Sequence, residues 1–161
     1  MEGIFDAKEL AAYICENYKN KYGEKISPVR LQKTLYFCFA YWGGFARKGK
    51  LENASEIDLK DFSEVLFDND IEAWVYGPVI PDVYFKYDTI ENYSNPNMFK
   101  DKTMVKEIID NVIEDTYSIN DFRLVDISHN DQSWKKNFDY DEQFHNNKID
   151  KEDIINEYAR K

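Results

Sequence analysis

The chain has 161 residues and carries 31 Asp and Glu against 21 Lys and Arg, a net charge of -10. That field repels phosphates and draws in basic partners, which disfavours general nucleic-acid binding. Aromatic residues make up 16% of the chain and only two cysteines occur, so the composition favours a binding surface and excludes a disulfide framework.

One domain over residues 1–161 is expected, with no internal repeat, low-complexity block or linker. With no signal peptide and no apolar run of about 18 residues, the chain is expected in the cytoplasm, with no membrane contact and with Cys15 and Cys38 reduced.

Four helix starts share one construction: an apolar residue, a capping residue, and a second apolar residue five positions after the first. They are Phe5, Asp6 and Leu10 with Glu9 as a box partner; Ile26, Ser27 and Leu31 with Pro28 at the first helical position; Tyr117, Ser118 and Phe122; and Ile149, Asp150 and Ile154. Asp121 and Asp153 stand three residues beyond their caps, where a carboxylate favours the helix dipole.

The first helix is expected over about Ala7 to Lys19, with Leu10, Ala11, Ile14 and Tyr18 inward and Gly23 letting the chain leave. The second, about 28–42, is apolar on nearly all sides through Leu31, Leu35, Tyr36, Phe37, Cys38, Phe39 and Trp42, which makes it the buried central helix. Gly43 and Gly44 are expected to end it. The charged segment from Arg47 to Asp61 reads as surface with a short helix.

Val65-Leu66-Phe67, the triplet Asp68-Asn69-Asp70 and Ile71 to Tyr76 predict a small hairpin lying on the helices. The chain is expected to stay extended to Ile80, because Pro78 and Pro81 each push the preceding residue towards extended backbone. Pro81 and Asp82 then favour a helix through Val83, Tyr84 and Tyr87. The stretch from Ile71 to Tyr84 is therefore the expected architectural hub. Asn92 to Asn97 and Asn146 to Lys148 read as exposed loops.

A helix from about Lys102 to Tyr117 follows from the stripe Met104, Val105, Ile108, Ile109, Val112 and Ile113. After it come a helix from Ile119 to Ser128, an aromatic segment around Trp134, Phe138, Tyr140 and Phe144, and a last helix from Lys151 to Ala159. The fold class is mainly α, an α+β arrangement with a minor β-hairpin, compact around the central helix.

A small hydrolase could draw on Cys38, His129 and a carboxylate, but Cys38 sits on the most apolar stripe, where a thiol behaves as a small hydrophobe. His129 and His145 lack metal-ligand spacing, and His129 reads as a hydrogen-bonding residue. Neither Gly77 nor Gly43-Gly44 belongs to a phosphate-binding loop, so no metal and no cofactor are expected. Asp58, Asp61, Glu64, Asp68, Asp70 and Glu72 read as a solvated face, or as a patch for a basic partner.

Three separated stretches carry a resemblance: Leu31-Gln32-Lys33-Thr34-Leu35-Tyr36 with Trp42, then Ile71-Glu72-Ala73-Trp74 through Tyr76-Gly77-Pro78-Val79 to Pro81 and Val83-Tyr84, then Ser128-His129 with Trp134. With Ile149 to Ile154 as a closing helix, the chain resembles the SocA-like antitoxin domain called Panacea. The resemblance implies a non-enzymatic domain that neutralises a small protein toxin, encoded next door, by direct contact. It also implies delivery of the toxin to a protease as a second mechanism. A phage or prophage protein acting on a host defence factor is the alternative.

The motif assigns Leu31, Leu35, Trp42, Ala73, Gly77, Pro78, Val79, Pro81, Val83 and His129 to the scaffold. Gln32, Lys33, Tyr36, Trp74, Tyr76, Tyr84 and Trp134 are the candidates for a toxin-binding groove.

Overall fold

A computed structural model describes residues 2–51, 62–141 and 146–161. Of the expectations above, those for Glu52 to Asp61, Phe144 and His145 lie outside the described residues.

Helix α1 (Ala7–Tyr22) starts on Asp6, whose carboxylate accepts the Lys8 N–H at 2.8 Å while Glu9 closes the capping box. It ends on Gly23 at φ 75°, a left-handed conformation that strains any larger residue. Helix α2 (Pro28–Leu51) starts on Ser27, whose hydroxyl accepts the Arg30 N–H at 3.1 Å. Every residue from Leu31 to Ala40 is buried, and α2 packs against α1 and most of the elements that follow.

The expected stop at Gly43 and Gly44 does not occur, and the reason is packing. A Cβ on Gly43 would stand 2.7 Å from Ile155 Cγ1, and one on Gly44 2.7 Å from the carbonyl carbon of Tyr158. Both neighbours belong to α7 (Lys151–Ala159). The glycines let two helices approach closely, which offsets the roughly 1 kcal/mol each costs in a helix interior.

The hairpin also differs from the expected one. Strand β1 (Glu72–Trp74) pairs antiparallel with β2 (Gly77–Val79), with Trp74 opposite Gly77, and on its other edge with β3 (Asn147–Lys148). The turn falls at Val75 and Tyr76, inside the stretch expected to stay extended. Val65 and Leu66 form no hairpin with it; their carbonyls accept the amides of Ile4 and Phe5 at 3.1 and 2.9 Å. The polar triplet is occupied with the N-terminal segment too, Asp68 accepting from Gly3 N–H and Asn69 Oδ1 from Ala7 N–H. The expected loop at Asn146 to Lys148 contains β3.

Pro81 opens α3 (Pro81–Tyr84), which stops after four residues and gives way to a 3-10 helix over Tyr87–Tyr93 in place of one continuous helix. Helix α4 (Thr103–Tyr117) follows the predicted stripe, with Val105, Ile109, Val112 and Ile113 buried. Helix α5 (Asp121–His129) is capped by Asn120, whose Oδ1 accepts the Arg123 N–H, and not by Ser118. Phe122, the expected staple residue, is 85% exposed. Asp121 instead accepts from Ser27 Oγ at 2.7 Å and Arg30 Nε at 2.9 Å, tying the starts of α5 and α2 together. Helix α6 (Gln132–Asn137) carries Trp134, and α7 starts on Asp150 as predicted, over buried Ile149 and Ile154.

The architecture is mainly α with a small three-stranded antiparallel sheet of order β2-β1-β3. Among the described residues no helix is long and apolar enough to cross a membrane.

Candidate functional site

A pair of three-residue strands has too few ladder bonds to hold its own shape. Here side chains from elsewhere in the chain supply the rest. Gln32 accepts the Ile80 N–H on Oε1 at 2.8 Å and donates from Nε2 to the Ile80 carbonyl at 3.2 Å. Lys33 Nζ donates to the Pro78 carbonyl at 2.9 Å. His129 Nε2 lies 2.9 Å from the Val75 carbonyl, and Trp134 Nε1 donates to the Trp74 carbonyl at 2.8 Å. Four side chains of α2, α5 and α6 thus end on the backbone between Trp74 and Ile80.

The electrostatics follow from burial. The Lys33 amine, buried with a carbonyl as its partner, is pushed down to about 7 because desolvation penalises its charged form. Burial also lowers His129, with the nearby Lys33 charge adding to that effect against the Val75 bond. Its ring stacks on Trp134 at 4.3 Å, and Trp134 stacks on Phe138 at 4.7 Å. Gly77 stands at φ 109°, and a Cβ there would meet Ser128 Oγ at 2.6 Å and Lys33 Nζ at 3.1 Å. No other residue type fits that corner without displacing the clamp.

Of the groove candidates, Gln32, Lys33, Tyr36 and Trp134 are buried, and the first two place their polar atoms on hairpin backbone. The Tyr36 hydroxyl donates to the buried carboxylate of Asp131, which also accepts from Tyr158 at 2.6 Å. Trp74 is half-buried. Tyr76 and Tyr84 reach solvent, at 71% and 48% exposure. Of the scaffold candidates, Leu31, Leu35, Trp42, Ala73, Gly77, Pro78, Val79 and Val83 are buried, while Pro81 and His129 are half-buried.

The clamped hairpin and α3 carry a run of rings. Trp74 meets Tyr84 edge-on at 4.9 Å, and Tyr84 meets Phe85 at 5.2 Å. Phe85, 74% exposed, is the residue that sequence reasoning missed. With Val83 pointing inward on so short a helix, the next two side chains must face out, and that periodicity was the available signal.

Among the described residues the alternative chemistries find no assembled site. Cys38 is buried in the hydrophobic core and burial pushes its thiol well above the usual range, while His129 is engaged with Val75. Among the described residues no group of His, Cys, Asp or Glu is arranged to hold a metal ion. The described acidic residues of the 58–72 run are largely occupied: Glu64 pairs with Arg47, Asp70 pairs with Lys148 at 3.2 Å, and Glu72 accepts from Trp74 Nε1 at 2.9 Å.

A family model described as antitoxin SocA-like, Panacea domain, matches residues 54–135, half of the chain. No curated protein and no solved structure matches it.

Proposed function

This chain belongs to the SocA-like antitoxin family with the Panacea domain, and we propose that it neutralises a small protein toxin by direct complex formation through the aromatic face of its hairpin and α3. The observation that carries this reading is a pairing of opposites. Tyr76, Tyr84 and Phe85 are exposed, yet Tyr76 projects from the backbone fixed by Gln32, Lys33, His129 and Trp134, and Tyr84 and Phe85 follow on the short helix that starts where this stretch ends. Large rings already held in place give contact area with little further loss of conformational freedom, which is what a protein interface needs.

In this reading Gln32, Lys33, His129 and Trp134 position the contact surface from inside, Tyr36 braces the core through Asp131, and Trp74, Tyr76, Tyr84 and Phe85 meet the toxin. No chemical step is involved. The toxin is encoded beside the antitoxin, and the complex either sequesters it or hands it to a protease.

Co-expression with the adjacent reading frame tests the proposal. Growth is expected to be rescued, with a toxin complex surviving purification or the toxin level falling in a protease-dependent way. A rescued toxin that neither co-purifies nor falls in level would overturn both mechanisms.

A further inference from the structure

Beside the aromatic face lies a cleft of about 290 Å³. Pro28, Leu31, Tyr84, Phe85, Tyr87 and Asp88 line it. Aromatic rings attract cations through their negative π-faces, and an acidic residue beside them adds a full charge of the same sign. Asp88 is exposed, and among the described residues no cation pairs with it.

The fold already uses one of these rings to hold a cation: Lys25 Nζ stands 4.1 Å from the centroid of Tyr87. Lys25 is in turn bound to the Tyr87 carbonyl at 3.0 Å and faces Glu91 at 3.5 Å, so its charge is answered there. Tyr84 and Phe85 have no such occupant among the described residues. The net charge of -10 draws basic surfaces towards the chain as a whole.

We propose that this cleft receives a cationic side chain, arginine above all, from the protein partner. The rings of Tyr84 and Phe85 stand at 89° to one another, so a planar guanidinium can stack on one of them while its N–H groups turn towards Asp88, which a compact ammonium does less well. The inference rests on the reading that this face meets a protein. It adds the chemistry that the partner must present.

The test uses the isolated full chain and no toxin, so its outcome is separate from that of the rescue assay. The 15N-labelled protein is titrated with N-acetyl-arginine amide, and with N-acetyl-norleucine amide as an uncharged control. Saturable shifts at Tyr84, Phe85 and Asp88 are expected with arginine alone. Asp88→Asn is expected to weaken binding by about threefold, the scale of a partly screened ion pair. In the wild type, added NaCl should weaken it in the same direction, which tests the charge without a variant. No saturable shift, an equal response to norleucine, or binding indifferent to both Asp88→Asn and salt would each overturn the proposal.

Discussion

Gln32 makes both hydrogen bonds of its side-chain amide to one residue, Ile80, accepting from its N–H at 2.8 Å and donating to its carbonyl at 3.2 Å. A helix side chain here does what a neighbouring strand would do for the N–H of a residue just past β2, whose carbonyl also accepts the amides of Val83 and Tyr84. Ile80 is buried, so water cannot take over that role.

Gln32→Leu keeps the volume nearly constant and leaves the buried Ile80 N–H without a partner, while the Ile80 carbonyl still accepts the amides of Val83 and Tyr84 at 3.1 and 3.0 Å. A buried group left unpaired costs about 1–3 kcal/mol. The variant is expected to lose about 2 kcal/mol and to melt about 4–8 °C lower. Thermal unfolding followed by circular dichroism checks this, and a melting point within about 2 °C of wild type would show that the amide bonds are dispensable.

The clamp explains which parts of the fold were legible in advance. Helix starts are local chemistry: Asp6, Ser27 and Asp150 cap as expected because a cap needs only a few neighbouring residues. The hairpin is not local. Its turn at Val75 and Tyr76 is fixed by residues as distant as His129 and Trp134, and short-range propensity cannot weigh partners more than fifty positions away. Gly43 and Gly44 have the same character, since a glycine that ends a helix and one that admits another helix look alike until α7 is placed against them. Gln32 and Lys33 read as groove residues because a polar tip suggests solvent, whereas these tips end on buried carbonyls and an amide.

Lys33 makes stability depend on pH with a predictable sign. The folded amine titrates at about 7, whereas an unfolded lysine titrates near about 10.4. Between those values the unfolded chain holds a proton that the folded chain does not, so stability rises with pH. The buried thiols and phenols act in the opposite sense: Cys15, Cys38, Tyr13, Tyr36, Tyr117 and Tyr158 are raised in the fold, so stability falls as pH passes the ordinary cysteine and tyrosine ranges near about 8.5 and about 10. Wild type is expected to peak between these two limbs. His129, lowered by burial, contributes a further rise below about pH 6.5, outside the lysine window. Lys33→Met should flatten the rise between about pH 7 and 9 and leave the alkaline fall intact. Urea midpoints across that range decide it; an undiminished slope in the methionine variant would assign the effect elsewhere.

Gly44→Ala tests the contact between α2 and α7. Alanine would normally gain about 1 kcal/mol over glycine in a helix. Here the new methyl meets the carbonyl carbon and Cβ of Tyr158, both at 2.7 Å, and backbone cannot swing aside. The overpacking cost, about 1–3 kcal/mol, should outweigh the propensity gain and leave the variant no more stable than wild type. Gly43→Ala meets Ile155 Cγ1 at 2.7 Å, a side-chain atom with more room to adjust, although the Glu64 carbonyl lies at 3.1 Å. It should be the milder of the two in a paired melting experiment.

Substitutions at exposed and at buried positions separate the scaffold from the surface it presents. Tyr76→Ala and Phe85→Ala remove rings that are 71% and 74% exposed, so each should change stability by no more than about 0.5 kcal/mol. If those rings meet the toxin, the same changes should weaken neutralisation strongly, because interface energy concentrates in a few aromatic anchors worth about 2 kcal/mol or more each. Cys38→Ala supplies the contrasting case. Its thiol is buried in the core and held above the usual range, so truncation should cost some stability and leave neutralisation intact wherever the protein still folds. Growth rescue at graded toxin induction, read beside the melting temperature of each variant, distinguishes the outcomes. Loss of rescue in Cys38→Ala with an unchanged melting point would point to chemistry at the thiol. Full rescue by a Tyr76→Ala, Phe85→Ala double variant would move the toxin contact away from the hairpin and α3.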